Sequence, residues 1–267
     1  MAVRLGDAVF RLDTLRFEPS PKRVRALLAG RVVVDTDRAV LVWEPRRVTP
    51  VYAVPTADVD AAIVAAEQPA PPDLATSPAV WTPQVPFDVR LTSGRLVRIE
   101  VPGHPGAPGF LPDDPDLDGL VVLDFAAFDW LEDDDPIVAH PHDPFSRIDV
   151  RASRAEYRLS LSGEPVALSR RVRILYETGL PPRLYFPPAD LLVRLEPSTT
   201  RSACAYKGDA RYFSATIGAH RIEDIAWSYP DPLLDGEPVR GRIAFFEERL
   251  DLSIDGRACP QRPSPFA

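Results

Sequence analysis

The chain repeats itself, and the repeat is what most restricts its fold. Gly30 and Gly163, and likewise Glu44 and Glu177, align at one offset of 133, so both glutamates end an apolar segment at the same distance after their glycine. One deleted residue later the offset is 132. There Pro50-Val-Tyr-Ala-Val-Pro-Thr-Ala-Asp58 overlays Pro182-Arg-Leu-Tyr-Phe-Pro-Pro-Ala-Asp190, and towards the ends Gly119 to Asp133 resembles Gly241 to Asp255. A shared spacing of this kind means that one structural unit is built twice. The reading is a first copy over 1–135, an acidic and proline-bearing linker over 136–150, and a second copy over 151–267.

Each copy reads as short strands. Val24, Ala26 and Leu28 alternate with less apolar positions before Gly30, which turns the chain into Arg31-Val-Val-Val34, and Ala39-Val-Leu-Val-Trp43 stops at Glu44-Pro45. Tyr157, Leu159 and Leu161 repeat the pattern before Gly163, followed by Val172, Ile174 and Tyr176. Strands are also expected over 87–91, 96–101 and 120–125, with a loop over 102–119 and a short helix over 57–66, where Val59, Ile63 and Ala66 fall at helical spacing. The 31 prolines and 14 glycines punctuate these segments without forming one low-complexity tract, so the chain is an ordered all-β protein with few short helices.

The net charge of −8 repels phosphate backbones and anionic lipid, which argues against nucleic acid and membrane as partners. No signal-peptide pattern opens the sequence, and no apolar run reaches the length of about 18 residues that a spanning helix needs. A cytoplasmic protein is expected, and its two cysteines, Cys204 and Cys259, would be reduced there. They exclude a disulfide scaffold and a four-cysteine zinc site, and His140-Pro-His142 reads as solvated linker.

Reactive side chains concentrate in the second copy, in Cys204-Ala-Tyr-Lys-Gly208 and Trp227-Ser-Tyr-Pro-Asp-Pro232. Cys204 is either a nucleophile whose thiolate Lys207 favours or a small buried core residue. Lys207 has three possible roles: binding an anion, pairing with Glu177 or Asp231, or acting as an amine of lowered pKa. Glu177 and Arg183 flank a proline turn, where they either pair with each other or grip a polar ligand. Tyr185, Tyr206, Tyr212, Trp227 and Tyr229 offer flat faces with polar tips, and the prolines around Asp231 display it on a rigid loop. The first copy has proline-rich sequence around Trp81 at the corresponding place.

The Gly163 to Glu177 interval, Pro181-Pro-Arg-Leu-Tyr-Phe-Pro-Pro-Ala-Asp190, the two reactive segments and the closing Ala244-Phe-Phe with Asp255-Gly256 together resemble the domain-of-unknown-function 427 family. They cover the second copy in order. The first copy resembles it through its first half and last strand, as a degenerate repeat. Ala205 stands where the family usually has proline. The resemblance implies coiled, bent antiparallel sheets similar to the β-tent architecture of methionine sulfoxide reductase B and of the thalidomide-binding domain of cereblon. It implies no particular cofactor, and the chain lacks the paired CxxC motifs that often hold zinc in that architecture. The nucleotidyltransferase label sometimes attached to the family finds no Gly-Ser with paired aspartates and no P-loop here. Three functions stay open: a small-molecule pocket in the second copy with Cys204 or Lys207 doing chemistry, a non-catalytic module for a ligand, a protein or a second copy of the chain in a homodimer, and motifs that only specify a bent β fold.

Overall fold

The computed structural model describes residues 13–70, 72–73 and 77–260. They form two compact units, one ending at Asp143 and the other beginning at Pro144. In the first unit β1 (Arg16–Pro19), β4 (Val40–Trp43), β5 (Val51–Pro55), β9 (Leu120–Leu123), β8 (Ala107–Pro112), β7 (Gly94–Glu100) and β6 (Ala62–Ala65) make a seven-stranded sheet in that spatial order. A four-stranded sheet runs β11 (Asp135–Ile137), β10 (Asp129–Glu132), β2 (Val24–Leu28), β3 (Arg31–Thr36). All pairings in both sheets are antiparallel.

The second unit repeats this strand for strand. Its seven-stranded sheet is β12 (Ile148–Ala152), β15 (Arg173–Glu177), β16 (Arg183–Phe186), β20 (Ile243–Phe245), β19 (His220–Ser228), β18 (Gly208–Ile217), β17 (Leu195–Cys204). Its four-stranded sheet is β14 (Glu164–Ser169), β13 (Tyr157–Leu161), β21 (Asp251–Ile254), β22 (Arg257–Cys259). The first copy is degenerate in sequence, yet it keeps the whole topology. Among the described residues the helical segments are short 3₁₀ turns, and no helix is long and apolar enough to cross a membrane.

The repeat holds down to single side chains. Ala29-Gly30 and Ser162-Gly163 both carry positive φ (51° and 76°, 51° and 88°), the requirement of a two-residue hairpin turn whose twist matches its strands. Asp58 accepts from Thr36 Oγ1 and from Arg38 at 2.6 Å each, while Asp190 accepts from Ser169 Oγ at 2.5 Å and from Arg171. These partners sit at the same two offsets, 133 and 132, that align the glutamates and the proline runs.

Each large sheet is buried on both faces. In the first unit Val24, Ala26 and Val34 of the small sheet pack with Tyr52, Val54, Ile99, Val121 and Leu123 of the large one, while Val42, Ala53, Leu96, Phe110 and Val122 form a second cluster. Because strand side chains alternate, this second set is the outer face of the large sheet. The second unit divides the same way. Leu159, Val166, Leu184, Phe186, Ile243 and Phe245 fill the inner core, and Leu175, Tyr185, Trp227 and Ala244 lie outside.

Several local expectations give way to tertiary pairing. The helix expected over 57–66 is a 3₁₀ turn at Thr56–Asp58 followed by β6, because Ala62 to Ala65 gain a ladder with Val97 to Glu100. Residues 87–91 are not a strand. The amides of Leu91 and Thr92 instead donate to Glu44 at 2.7 Å. The loop expected over 102–119 contains β8, whose Pro108, Gly109 and Pro112 disguise a strand that pairs with both β7 and β9. The segment read as linker has β11 entering it from one side and β12 from the other.

The inner core of the first unit carries a polar network. Tyr52 donates to Glu132 Oε1 at 2.6 Å, the Lys22 ammonium pairs with Glu132 Oε2, and the His142 amide donates at 3.3 Å. Burial pushes the Glu132 carboxyl up, but Lys22 and Tyr52 outweigh it and hold the group below its ordinary 4.5. A depressed pKa contributes stability that is present above 4.5 and lost as pH falls through the folded value. Urea midpoints measured against pH should therefore show wild type ahead of Glu132→Gln at neutral pH, with the gap closing on acidification below 4.5.

Candidate functional site

The outer face of the second large sheet gathers most of the predicted residues. Glu177 ends β15, and Lys207 lies in the tight turn between β17 and β18, whose last pair is Cys204 with Gly208. The turn places the Lys207 Nζ 2.6 Å from Glu177 Oε2, with the two side chains 7% and 14% exposed. Among the partners open to Lys207 the structure chooses Glu177. Burial pushes the lysine pKa down, yet Cys204 and Glu177 together reverse this and raise it above the ordinary value. This direction is opposite to that of an amine with lowered pKa.

Tyr185, in mid β16, and Tyr229, just after β19, are buried beside this pair. Burial raises the Tyr185 phenol pKa. Trp227, hydrogen-bonded to it, opposes the rise, and Glu177 and Cys204 add to it. Burial likewise lifts Tyr229 well above its ordinary value, with Tyr185, Cys204 and Glu177 adding to the effect. Both phenols are neutral hydrogen-bonding groups at physiological pH. Trp227 packs in the same cluster, with Phe246 at 4.7 Å and the Arg183 guanidinium 5.5 Å above its ring. Tyr212 stacks near Phe246 at 6.4 Å and shares a 2.9 Å hydrogen bond with Ser202, while Cys204 is half-buried at the cluster's edge. Tyr206 is buried in the turn next to Lys207.

Two predicted residues take other partners. Arg183 does not pair with Glu177; it forms a two-pronged bond with Glu248, 2.9 Å for Nη1 to Oε2, where both side chains are mostly buried. Asp231 is 87% exposed and pairs with Arg240 at 3.1 Å. A surface concavity beside Arg183 is lined by Pro181, Pro182, Glu248, Leu250 and Cys259. It shares only Arg183 with the predicted set, so the reactive groups do not lie in it. Phe246 and Glu248 escape a sequence reading because they follow β20 in a short turn with no spacing of its own; the Phe245-Phe246 doublet is their one signal.

A loop closes over the turn. The Leu233 amide donates to the Lys207 carbonyl at 3.1 Å, and Gly236 lies so close that an added Cβ would meet Pro232 Cβ at 2.9 Å and Lys207 Cα at 3.2 Å. Val239 of the same loop is fully buried in the outer cluster.

The first unit has a counterpart of the ion pair that its sequence hides. Glu44, 1% exposed, accepts from Arg90 Nη1 at 3.0 Å, and Arg90 comes from the connection between β6 and β7, the one equivalent to the Lys207 turn. In place of Tyr185 stands Ala53, and in place of Trp227, by strand register, Phe110. Arg90 and Phe87 cover this face, the guanidinium lying 3.9 Å from the Phe87 ring centre and 4.7 Å from that of Phe110.

The model of the domain of unknown function DUF427 matches residues 16–70 and 149–256. The chain belongs to this family. The first DUF427 segment covers β1 to β6 and the second nearly all of the second unit, as a tandem pair with a degenerate first copy requires. No curated protein matches the chain.

Breaking a buried ion pair from one side leaves an uncompensated charge, at about 3–5 kcal/mol. Glu177→Gln and Lys207→Met should each destabilise the second unit by that order, and the double variant should lose less than the sum. Denaturant unfolding of the three proteins measures this coupling.

Proposed function

We propose that the second unit of this DUF427 protein binds a small apolar or aromatic molecule at the outer face of its large sheet. Trp227, Tyr212 and Phe246 supply flat contact area, and Tyr185 and Tyr229 are neutral polar groups at its base. The Lys207–Glu177 pair, with Tyr206 beside it, holds the turn that presents Cys204, while Arg183 and the Asp231 loop form the rim. Cys204 is the group for chemistry, and Lys207 is the cation beside it. In the cytoplasmic setting expected here the thiol stays reduced.

One observation carries this reading. The same face in the first unit is filled by the chain itself, with Ala53 beneath and Phe87 and Arg90 above. In the second unit it is built from phenol, indole and thiol, and Cys204, Tyr212 and Phe246 remain partly exposed. The charge of −8 supports a small-molecule partner over nucleic acid.

The second reading, a binding module without catalysis, is favoured by the recurrence of a buried glutamate–cation pair in both units. A pair present where no thiol stands beside it serves the hairpin first. Alkylation by iodoacetamide separates the two readings. Under the first, Cys204 in folded protein reacts faster than in a denatured control, Lys207→Met slows it, and small aromatic compounds protect it unless Trp227 is replaced by Ala. A rate no faster than the denatured control removes the nucleophile, and protection that survives Trp227→Ala removes the aromatic site.

A further inference from the structure

Three buried polar atoms on two nearby residues of the first unit lack a hydrogen-bond partner: Nε and Nη2 of Arg90, and Oγ1 of Thr92. They are close neighbours, since Arg90 Nη1 and the Thr92 amide both donate to Glu44, at 3.0 and 2.7 Å. The other buried atoms of this kind among the described residues, on Arg16, Arg25 and Asp224, are single atoms on separate side chains. Here two of the three atoms belong to one guanidinium, and the third is two residues on.

The shape of the set is informative. With Nη1 held by Glu44, the free part of the guanidinium is its Nε and Nη2 edge, where two N–H groups point the same way at the spacing of two carboxylate oxygens. Phe87 and Phe110 cover its faces, so a partner is admitted only in the plane of the group. The side chain is 6% exposed. The carboxylates of Glu44, Asp124 and Asp88 act on Arg90, and Arg47 stands beside it as a second cation. Arg47, the second guanidinium of this region, spends its Nη1 and Nη2 on the uncharged carbonyls of Val85, Pro86 and Val89. Its pKa is held down to about 10, by burial first and then by the charge of Arg90, with Glu44, Asp124 and Asp88 opposing. Burial raises the Asp124 carboxyl, which weakens one of these counter-charges.

We propose that the first unit binds a small carboxylate at this edge. Its two oxygens accept from Arg90 Nε and Nη2, and the Thr92 hydroxyl donates to one of them. Because these atoms have no contact with solvent, binding goes with a lifting of the segment that carries Phe87. An apolar body on the carboxylate then takes the place of that ring against Phe110, so benzoate binds better than acetate. The site is independent of Cys204 and of the second unit.

The experiment follows the arginine Nε–H resonances of the full ¹⁵N-labelled chain during titration with benzoate, with acetate, and with chloride at matched ionic strength. One resonance should shift saturably with benzoate, more weakly with acetate and not with chloride, and should be missing from Arg90→Lys, which keeps the charge beside Glu44 but lacks the fork. Thr92→Val, a near-isosteric change, should weaken benzoate binding by about tenfold, the loss of one hydrogen bond to a charged group. A saturable shift that persists in Arg90→Lys overturns the assignment, as does an equal response to chloride or the lack of any saturable shift. Should Arg90→Lys fail to fold, the Thr92→Val comparison decides in its place: unchanged affinity overturns the proposal.

Discussion

A carboxylate buried at the end of one strand, and a cation that must be brought to it by a distant hairpin or loop, hold the outer face of each large sheet in place. Neither charge is tolerable alone in such a position, so the strand and its incoming partner fold together or not at all. The two units meet the requirement differently. In the second, a tight turn delivers Lys207, a compact cation that Glu177 and Cys204 share. In the first, a long connection delivers Arg90, and two backbone amides of the same connection complete the shell of Glu44. The lysine turn is covered by the loop that carries Leu233 and Gly236, while Cys204, Tyr212 and Phe246 near it stay partly exposed. The arginine route brings Phe87 with it and fills the face.

The units also differ in where they place polarity, and strand alternation explains how one fold accommodates both. Tyr52, Glu132 and Lys22 of the first unit correspond in register to Leu184, Ile254 and Ala155 of the second, which pack in the inner core. Tyr185 corresponds to Ala53 on the outer face. Successive strand residues face opposite sides, so moving a phenol from position 52 in one copy to the position after its equivalent in the other carries it through the sheet. The first unit therefore keeps its buried hydroxyl between the sheets, where Glu132, itself paired with Lys22, accepts from it. The second keeps its own on the face where a thiol and an indole stand.

Much of the fold was legible in residues close together in the sequence. The two-residue turns at Gly30 and Gly163, the strands that flank them, and the stops at Glu44 and Glu177 follow from alternation and turn chemistry alone. β6 and β8 were not legible. Ala62 to Ala65 have a helical spacing that a neighbouring strand overrides, and β8 carries proline and glycine that a lone strand would not choose. At the site, Lys207 with Glu177 was among the pairings open from the sequence. The partners of Arg183 and Asp231 were not foreseen, because Glu248 and Arg240 approach from loops whose course depends on the packed sheets. Arg90 was missed for the same reason.

By itself the sequence determined that a β unit is built twice, where the hairpins at Gly30 and Gly163 turn, and that a thiol, an ammonium and aromatic rings are concentrated in the second copy. These properties depend on local backbone preferences and on spacing along the chain. Only the tertiary structure decided that both copies keep every strand, that the glutamates of both are answered by cations, and that one outer face is filled while the other is lined with reactive side chains. Each of those outcomes depends on contacts between residues far apart in the chain. That is settled by the geometry of the packed sheets, which spacing along a chain does not encode.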